Sequence, residues 1–166
     1  EAAGRIDHAL SLVDTGIRGI RSVVHSLRPS LLDDLGLLPA LRSLITEFTE
    51  RSGLAVTLEA PGAVAALSKD AELALFRALQ EALSNVRKHA GARQVWVEVQ
   101  QVPRWRVQVR DDGRGFANAG HDETHVGLRI MRERAQRIGA LVEVASVPGS
   151  GTCVVLTLPE RQRMAA

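Results

Sequence analysis

The run Gln80-Glu81-Ala82-Leu83-Ser84-Asn85-Val86-Arg87-Lys88-His89 decides how this chain is read. Offsets of four, three and one put Glu81, Asn85, Lys88 and His89 on one face of a helix. Leu73, Phe76, Leu79, Leu83, Val86 and Ala90 take the opposite face. The polar face therefore carries a carboxylate, a neutral amide, an ammonium and an imidazole in one row. A solvated helix face usually carries Lys and Glu pairs and has no need for Asn and His at that spacing.

The pattern on either side extends the reading. Upstream, Leu38, Leu41, Leu44, Ile45 and Phe48 predict an amphipathic helix over 37–51, with Gly53 just past its end. Weak alternation over 54–59 predicts a strand, closed by a Pro61-Gly62 turn, and the polar-faced helix then spans about 68–90. Downstream, Val95, Val97 and Val99 alternate over 94–100, and Trp105, Val107 and Val109 over 104–111. The short Val102-Pro103 link makes these two an antiparallel pair. A helix over 127–138 and a hairpin of 142–145 with 153–158 complete the order. Such an order favours an α+β sandwich, with helices on one face of a mixed, mostly antiparallel sheet. Neither a dinucleotide-binding Gly-x-Gly-x-x-Gly nor a P-loop sequence is present.

The N-terminal stretch has a different beat. Ile6, Leu10, Val13, Ile17, Ile20, Val24 and Leu27 recur at alternating spacings of four and three, the seam of a helical bundle. A narrow seam of this kind predicts a long dimerisation helix, ended by Pro29. Residues 30–36 read as a connector, with Asp33 and Asp34 available as caps.

Composition limits what the chain can do. At 166 residues with 45% hydrophobic content it can bury one substantial core. A formal charge of +2, scattered Arg residues, no Tyr and three Phe argue against a nucleic-acid stacking surface. The single Cys153 cannot form an internal disulfide, which fits a reducing compartment. No apolar run is long enough to cross a bilayer. The chain begins with Glu1, so a longer parent protein is expected.

Asp111 is the second informative position. It shares strand parity with Trp105, Val107 and Val109, so its carboxylate is expected to point inward. A buried carboxylate needs a donor, and no basic residue stands at a neighbouring inward position. An unpaired acceptor awaiting a ligand N–H fits, as does an Asp that closes a turn with Asp112-Gly113. Gly113 and Gly115 follow where backbone must pass close to something. Gly127-Leu128 opens the next helix, whose N-terminal N–H groups suit a phosphate. In Gly149-Ser150-Gly151-Thr152 the Thr152 hydroxyl is available to support the bottom of a pocket.

Taken together, these segments resemble the ATP-binding domain of histidine kinases. Residues 80–90 are similar to its N box, 111–116 to its first Gly box, 125–135 to its second and 149–152 to the closing Gly-x-Gly-Thr element. The Glu-Ala-Leu-Ser-Asn form, Leu27-Arg28-Pro29 and Met131-Arg132-Glu133-Arg134-Ala135 are most similar to nitrate/nitrite-sensor-like sensor kinases. The resemblance implies a Bergerat-type fold that uses ATP and Mg²⁺, with domain limits of 1–34, 35–160 and a 161–166 tail. It implies Mg²⁺ coordination by Asn85, a water or proton role for Glu81 and a phosphate contact for Lys88. His89 would lie beside the adenine or ribose, and Asp111 would accept from the adenine amine. Gly113, Gly115 and Phe116 would let the base and lid approach. Gly127 and Leu128 would close the phosphate side, above Thr152.

The implied reaction is transfer of the ATP γ-phosphoryl group to a histidine, then to an aspartate of a response regulator with a helix-turn-helix output domain. The implied setting is cytoplasmic, as a homodimer through the N-terminal helix. A non-catalytic ATP-binding switch and an anti-sigma-type serine kinase are the alternatives on the same fold. The expected acceptor motif is absent around His8 and His25, so the acceptor is expected upstream of Glu1. Only eleven residues separate Gly115 from Gly127, which predicts a short lid that is mobile without nucleotide.

Overall fold

Residues 30–117 and 126–159 are described by a computed structural model. The N-terminal seam with His8 and His25, lid residues 118–125 and the C-terminal tail lie outside the described residues.

The polar-faced helix starts where its sequence says it should. Ser68 is extended, and its side chain accepts the Ala71 N–H at 3.3 Å. Asp70 and Glu72 occupy the first turn, where the helix dipole favours negative charge. Two helices precede it: α1 (Ser30–Leu35) and α2 (Leu37–Ser52). The expected connector is thus itself helical, because Leu32 has an apolar site to fill and is fully buried. Asp33 and Asp34 lie inside α1, and the N-cap of α2 is Gly36, without a side-chain cap bond. At its far end α2 stops at Gly53, a left-handed cap whose N–H donates to the Thr49 carbonyl.

Strand β1 (Ala55–Glu59) leads into the central helix α3 (Lys69–Asn85). Strands β2 (Gln94–Gln100) and β3 (Arg106–Asp111) follow, then α4 (Val126–Arg137), β4 (Leu141–Ser146) and β5 (Thr152–Thr157). The sheet order is β1-β2-β3-β5-β4. Only β1 and β2 run parallel, bridged by α3 as a crossover; every other neighbouring pair is antiparallel. The architecture is the expected mixed, mostly antiparallel α+β sandwich.

One sheet face supplies the core through Val95, Val97, Val99, Val107, Val109, Val142, Val154 and Leu156. Against it pack Leu41, Ile45 and Phe48 of α2, Leu75, Leu79 and Leu83 of α3, and Leu128, Met131 and Ala135 of α4. Helix α3 is buried more broadly than a single stripe, since Ala71, Ala78 and Ala82 also meet neighbours. Small side chains let α2 and α4 approach it closely on either flank. The one buried charged side chain among the described residues is Asp111.

Candidate functional site

Helix α3 does not continue as an α-helix to Ala90. After Asn85 the backbone widens into a π-helical turn, Val86–Ala90, closed by the left-handed Gly91. The Val86 N–H is shared between the Ala82 and Leu83 carbonyls, where the bonding pattern changes. Offsets counted on an α-helix therefore do not hold across the turn, yet Glu81, Asn85, Lys88 and His89 all face one cavity. Its volume is about 500 Å³, within the ordinary range for small-molecule sites.

The opposite wall comes from the sheet and the Gly loop. Asp111, Gly115, Phe116, Gly127, Leu128 and Thr152 line the cavity with the α3 residues, and Val109 and Val154 form apolar floor. Gly113 is the one residue of the expected set that does not line it. A Cβ there would meet the Ala90 carbonyl, and the Arg114 N–H donates to that same carbonyl at 2.8 Å. At Gly115, φ is +60° and a Cβ would run into the Val147 carbonyl. Both glycines are required by neighbouring protein backbone.

Asp111 is inward as expected, but not unpaired. Its Oδ1 accepts the Gly113 N–H at 2.8 Å, so the turn with Asp112-Gly113 is present as well as the cavity-facing carboxylate. Burial pushes its carboxyl above the usual range, the Gly113 and Thr152 N–H groups pull it back, and Asp112 raises it slightly. The exposed Asp112 moves the other way. Its Oδ1 accepts from the Gln94 N–H at 2.9 Å and the Arg93 N–H at 2.8 Å, which hold its carboxyl low.

A pH dependence follows for Asp111. Its native pKa exceeds its unfolded value of 3.8, so the native state binds the proton more tightly between those two values. Its contribution to stability therefore falls as pH rises through that interval. Urea unfolding of wild type and Asp111→Asn from about pH 3 to about pH 7 is expected to show the variant gaining relative stability over that window, then levelling. A difference that stays flat with pH would show that burial does not perturb this group.

Two loops are laced together beneath the cavity. The Gly149 N–H donates to the Arg114 carbonyl at 2.6 Å, and the Phe116 N–H to Ser146 Oγ at 2.9 Å. Ser146 also donates to the Gly151 carbonyl at 3.2 Å and lies 2.9 Å from Thr152 Oγ1. Ser146 and Thr152 pair directly across the hairpin, a juxtaposition that no local motif announces. Sequence reasoning also passed over Arg114 and Val126, which line the cavity. The available signal for Arg114 is its place between Gly113 and Gly115 in the segment 111–116.

Glu81 and Gly127 meet across the cavity rim. A Cβ on Gly127 would occupy the space taken by the Glu81 carboxylate, so this glycine lets α4 start beside α3. No group of three or more His, Cys, Asp or Glu side chains gathers among the described residues. Asn85 and Glu81, one turn apart, present the amide and carboxylate oxygens that Mg²⁺ accepts beside waters and phosphates.

Comparison with known proteins agrees with this arrangement. Residues 70–162 match the model of the family described as histidine kinase-, DNA gyrase B-, and HSP90-like ATPase. The signal transduction histidine-protein kinase/phosphatase DegS of Brevibacillus brevis is 33% identical over 160 residues, covering 96% of this chain and 42% of that protein. The sensor histidine kinase MctS of Rhizobium johnstonii is 36% identical over 164 residues, covering 96% and 35% respectively. The chain thus spans about two fifths or less of the length of these curated relatives. Among solved structures, the histidine kinase domain of the Erythrobacter litoralis EL346 blue-light activated kinase superposes with a TM-score of 0.63. It is 25% identical and covers 74% of this chain and 60% of that one.

Proposed function

Because the chain belongs to the histidine kinase-, DNA gyrase B-, and HSP90-like ATPase family, we propose that it is the ATP-binding catalytic region of a two-component sensor histidine kinase. One observation carries the reading. A single cavity holds the oxygen donors Glu81 and Asn85 and the Lys88 ammonium on the α3 wall, with the buried Asp111 carboxylate on the other.

Asp111 accepts from the exocyclic amine of adenine, and the apolar Val109 and Val154 lie beneath the base. Lys88 meets a phosphate as a point charge. Asn85 would hold Mg²⁺ through its amide oxygen, with Glu81 acting through a water. When bound, the ion spreads negative charge over the phosphoryl oxygens. A histidine imidazole outside the described residues attacks the γ-phosphorus in line, and the bond to the bridging oxygen of ADP breaks. Glu81 takes the imidazole proton. The protein contributes positioning and electrostatics.

We assign residues 1–34 to a dimerisation and connector region. Residues 35–160 are the ATP-binding domain, and the setting is cytoplasmic. Among the described residues no helix is long and apolar enough to cross a membrane. The partner is a response regulator with a helix-turn-helix output domain.

Two measurements test this. Asp111→Asn presents one carbonyl oxygen and a donor where adenine needs acceptors, so calorimetry is expected to show ATP binding weakened about tenfold or more. Unchanged affinity would remove Asp111 from the adenine site. Labelled ATP is then supplied with an acceptor-helix polypeptide and the response regulator. Label on a regulator aspartate supports the kinase, bound ATP without transfer points to a switch module, and phosphoserine points to a serine kinase.

A further inference from the structure

We infer that Arg114 is a nucleobase-binding residue, its guanidinium lying flat over the purine held by Asp111. The inference rests on the ATP-binding reading and deepens it. Arg114 lines the cavity although the residue itself is exposed at the rim. Its backbone is fixed at both ends: the N–H donates to the Ala90 carbonyl at 2.8 Å, and its carbonyl accepts the Gly149 N–H at 2.6 Å. It is flanked by Gly113, which abuts Ala90, and Gly115, which abuts Val147 and Gly151, so the loop has no room to shift.

Its place in the wall selects the ligand part. Ala90 ends the π turn beyond Lys88 and His89, and Gly113 sits against Asp111 Oδ1. Arg114 therefore belongs to the Asp111 end of the cavity. Asn85 and Lys88 already serve the phosphate end, and Glu81 and Gly127 meet there. Stacking surface is scarce: the chain has no Tyr and three Phe, and Phe116 is the one Phe, Tyr or Trp side chain of the lining. A guanidinium is planar and weakly hydrated, and it stacks on π faces where an ammonium does not.

Calorimetry with adenosine and with ATP, on wild type, Arg114→Ala and Arg114→Lys, separates the possibilities. Arg114→Ala is expected to weaken both ligands by the same factor, about fivefold. Arg114→Lys is expected to behave like Arg114→Ala, because charge without a plane does not stack. Loss for ATP with adenosine unaffected would overturn the inference in favour of a phosphate contact. So would wild-type affinity in Arg114→Lys, or no loss in Arg114→Ala. A wild-type chain that binds neither ligand would overturn the ATP-binding reading itself.

Discussion

Asn85→Ala is expected to abolish the Mg²⁺ dependence of ATP binding and to lower phosphotransfer by about 10²-fold or more, with the fold intact. Asn85 is the last residue of α3, half-buried, with its side chain on the cavity and no cap bond to the turn that follows. Alanine is the best helix former, so removal of the amide leaves the helix no weaker. What disappears is the one neutral oxygen donor of the α3 row, the atom proposed to hold the ion. Calorimetric titration of ATP with and without Mg²⁺ reads this directly, and circular dichroism checks the fold. If the variant still binds ATP more tightly with Mg²⁺ than without, Asn85 is not the metal ligand.

Gly151→Ala is expected to cost about 3 kcal/mol of stability and to disturb the cavity floor. Gly151 is buried at φ +83°, and a Cβ there would strike the Asp111 carbonyl, with the Asp111 carbonyl carbon at 2.9 Å and Asp112 Cα at 3.2 Å. These neighbours are backbone and cannot swing aside. Gly149 supplies the control. It has a similar φ of +81° but nothing within 4 Å of a Cβ, so Gly149→Ala bears only the left-handed penalty of about 1–2 kcal/mol. Urea unfolding of both variants isolates the close approach. Equal destabilisation would mean that the wedge against Asp111 is not felt. Because the wedge presses on the residue that carries the buried carboxylate, ATP affinity is expected to fall in Gly151→Ala and not in Gly149→Ala.

Where sequence patterns were local, they were sufficient. The start of the polar-faced helix near Ser68, Gly53 just past the end of its helix and the inward parity of Asp111 are set by neighbours within a few residues, and the structure has them all. The helical connector over 30–36 shows the limit of that rule. Leu31, Leu32 and Leu35 are all apolar, but only Leu32 is buried, and the core that receives it lies elsewhere in the chain. Six residues are too few to carry a helical period.

The glycines show the same limit from the other side. Sequence marks Gly113 and Gly115 as places of close approach but cannot say what approaches. Here it is Ala90 from the end of the π turn, 23 residues before Gly113, and Val147 from the closing hairpin, 32 residues after Gly115. The π turn was likewise hidden, because Val86-Arg87-Lys88-His89-Ala90 has ordinary helical composition and its widening answers to where Ala90 must meet Arg114.

By itself, then, the sequence determined most of the elements, the principal buried face of the longer ones, and the chemical cast of Glu81, Asn85, Lys88, His89 and Asp111, since periodicity and side-chain type are local properties. Only the tertiary structure decided that β5 and not β4 lies beside β3, that Asp111 is partnered by Gly113, and that the α3 row and the Gly loop enclose one cavity. The strand order and the shared cavity depend on backbone groups far apart in the chain meeting at hydrogen-bonding or contact distance, and no single segment encodes that meeting.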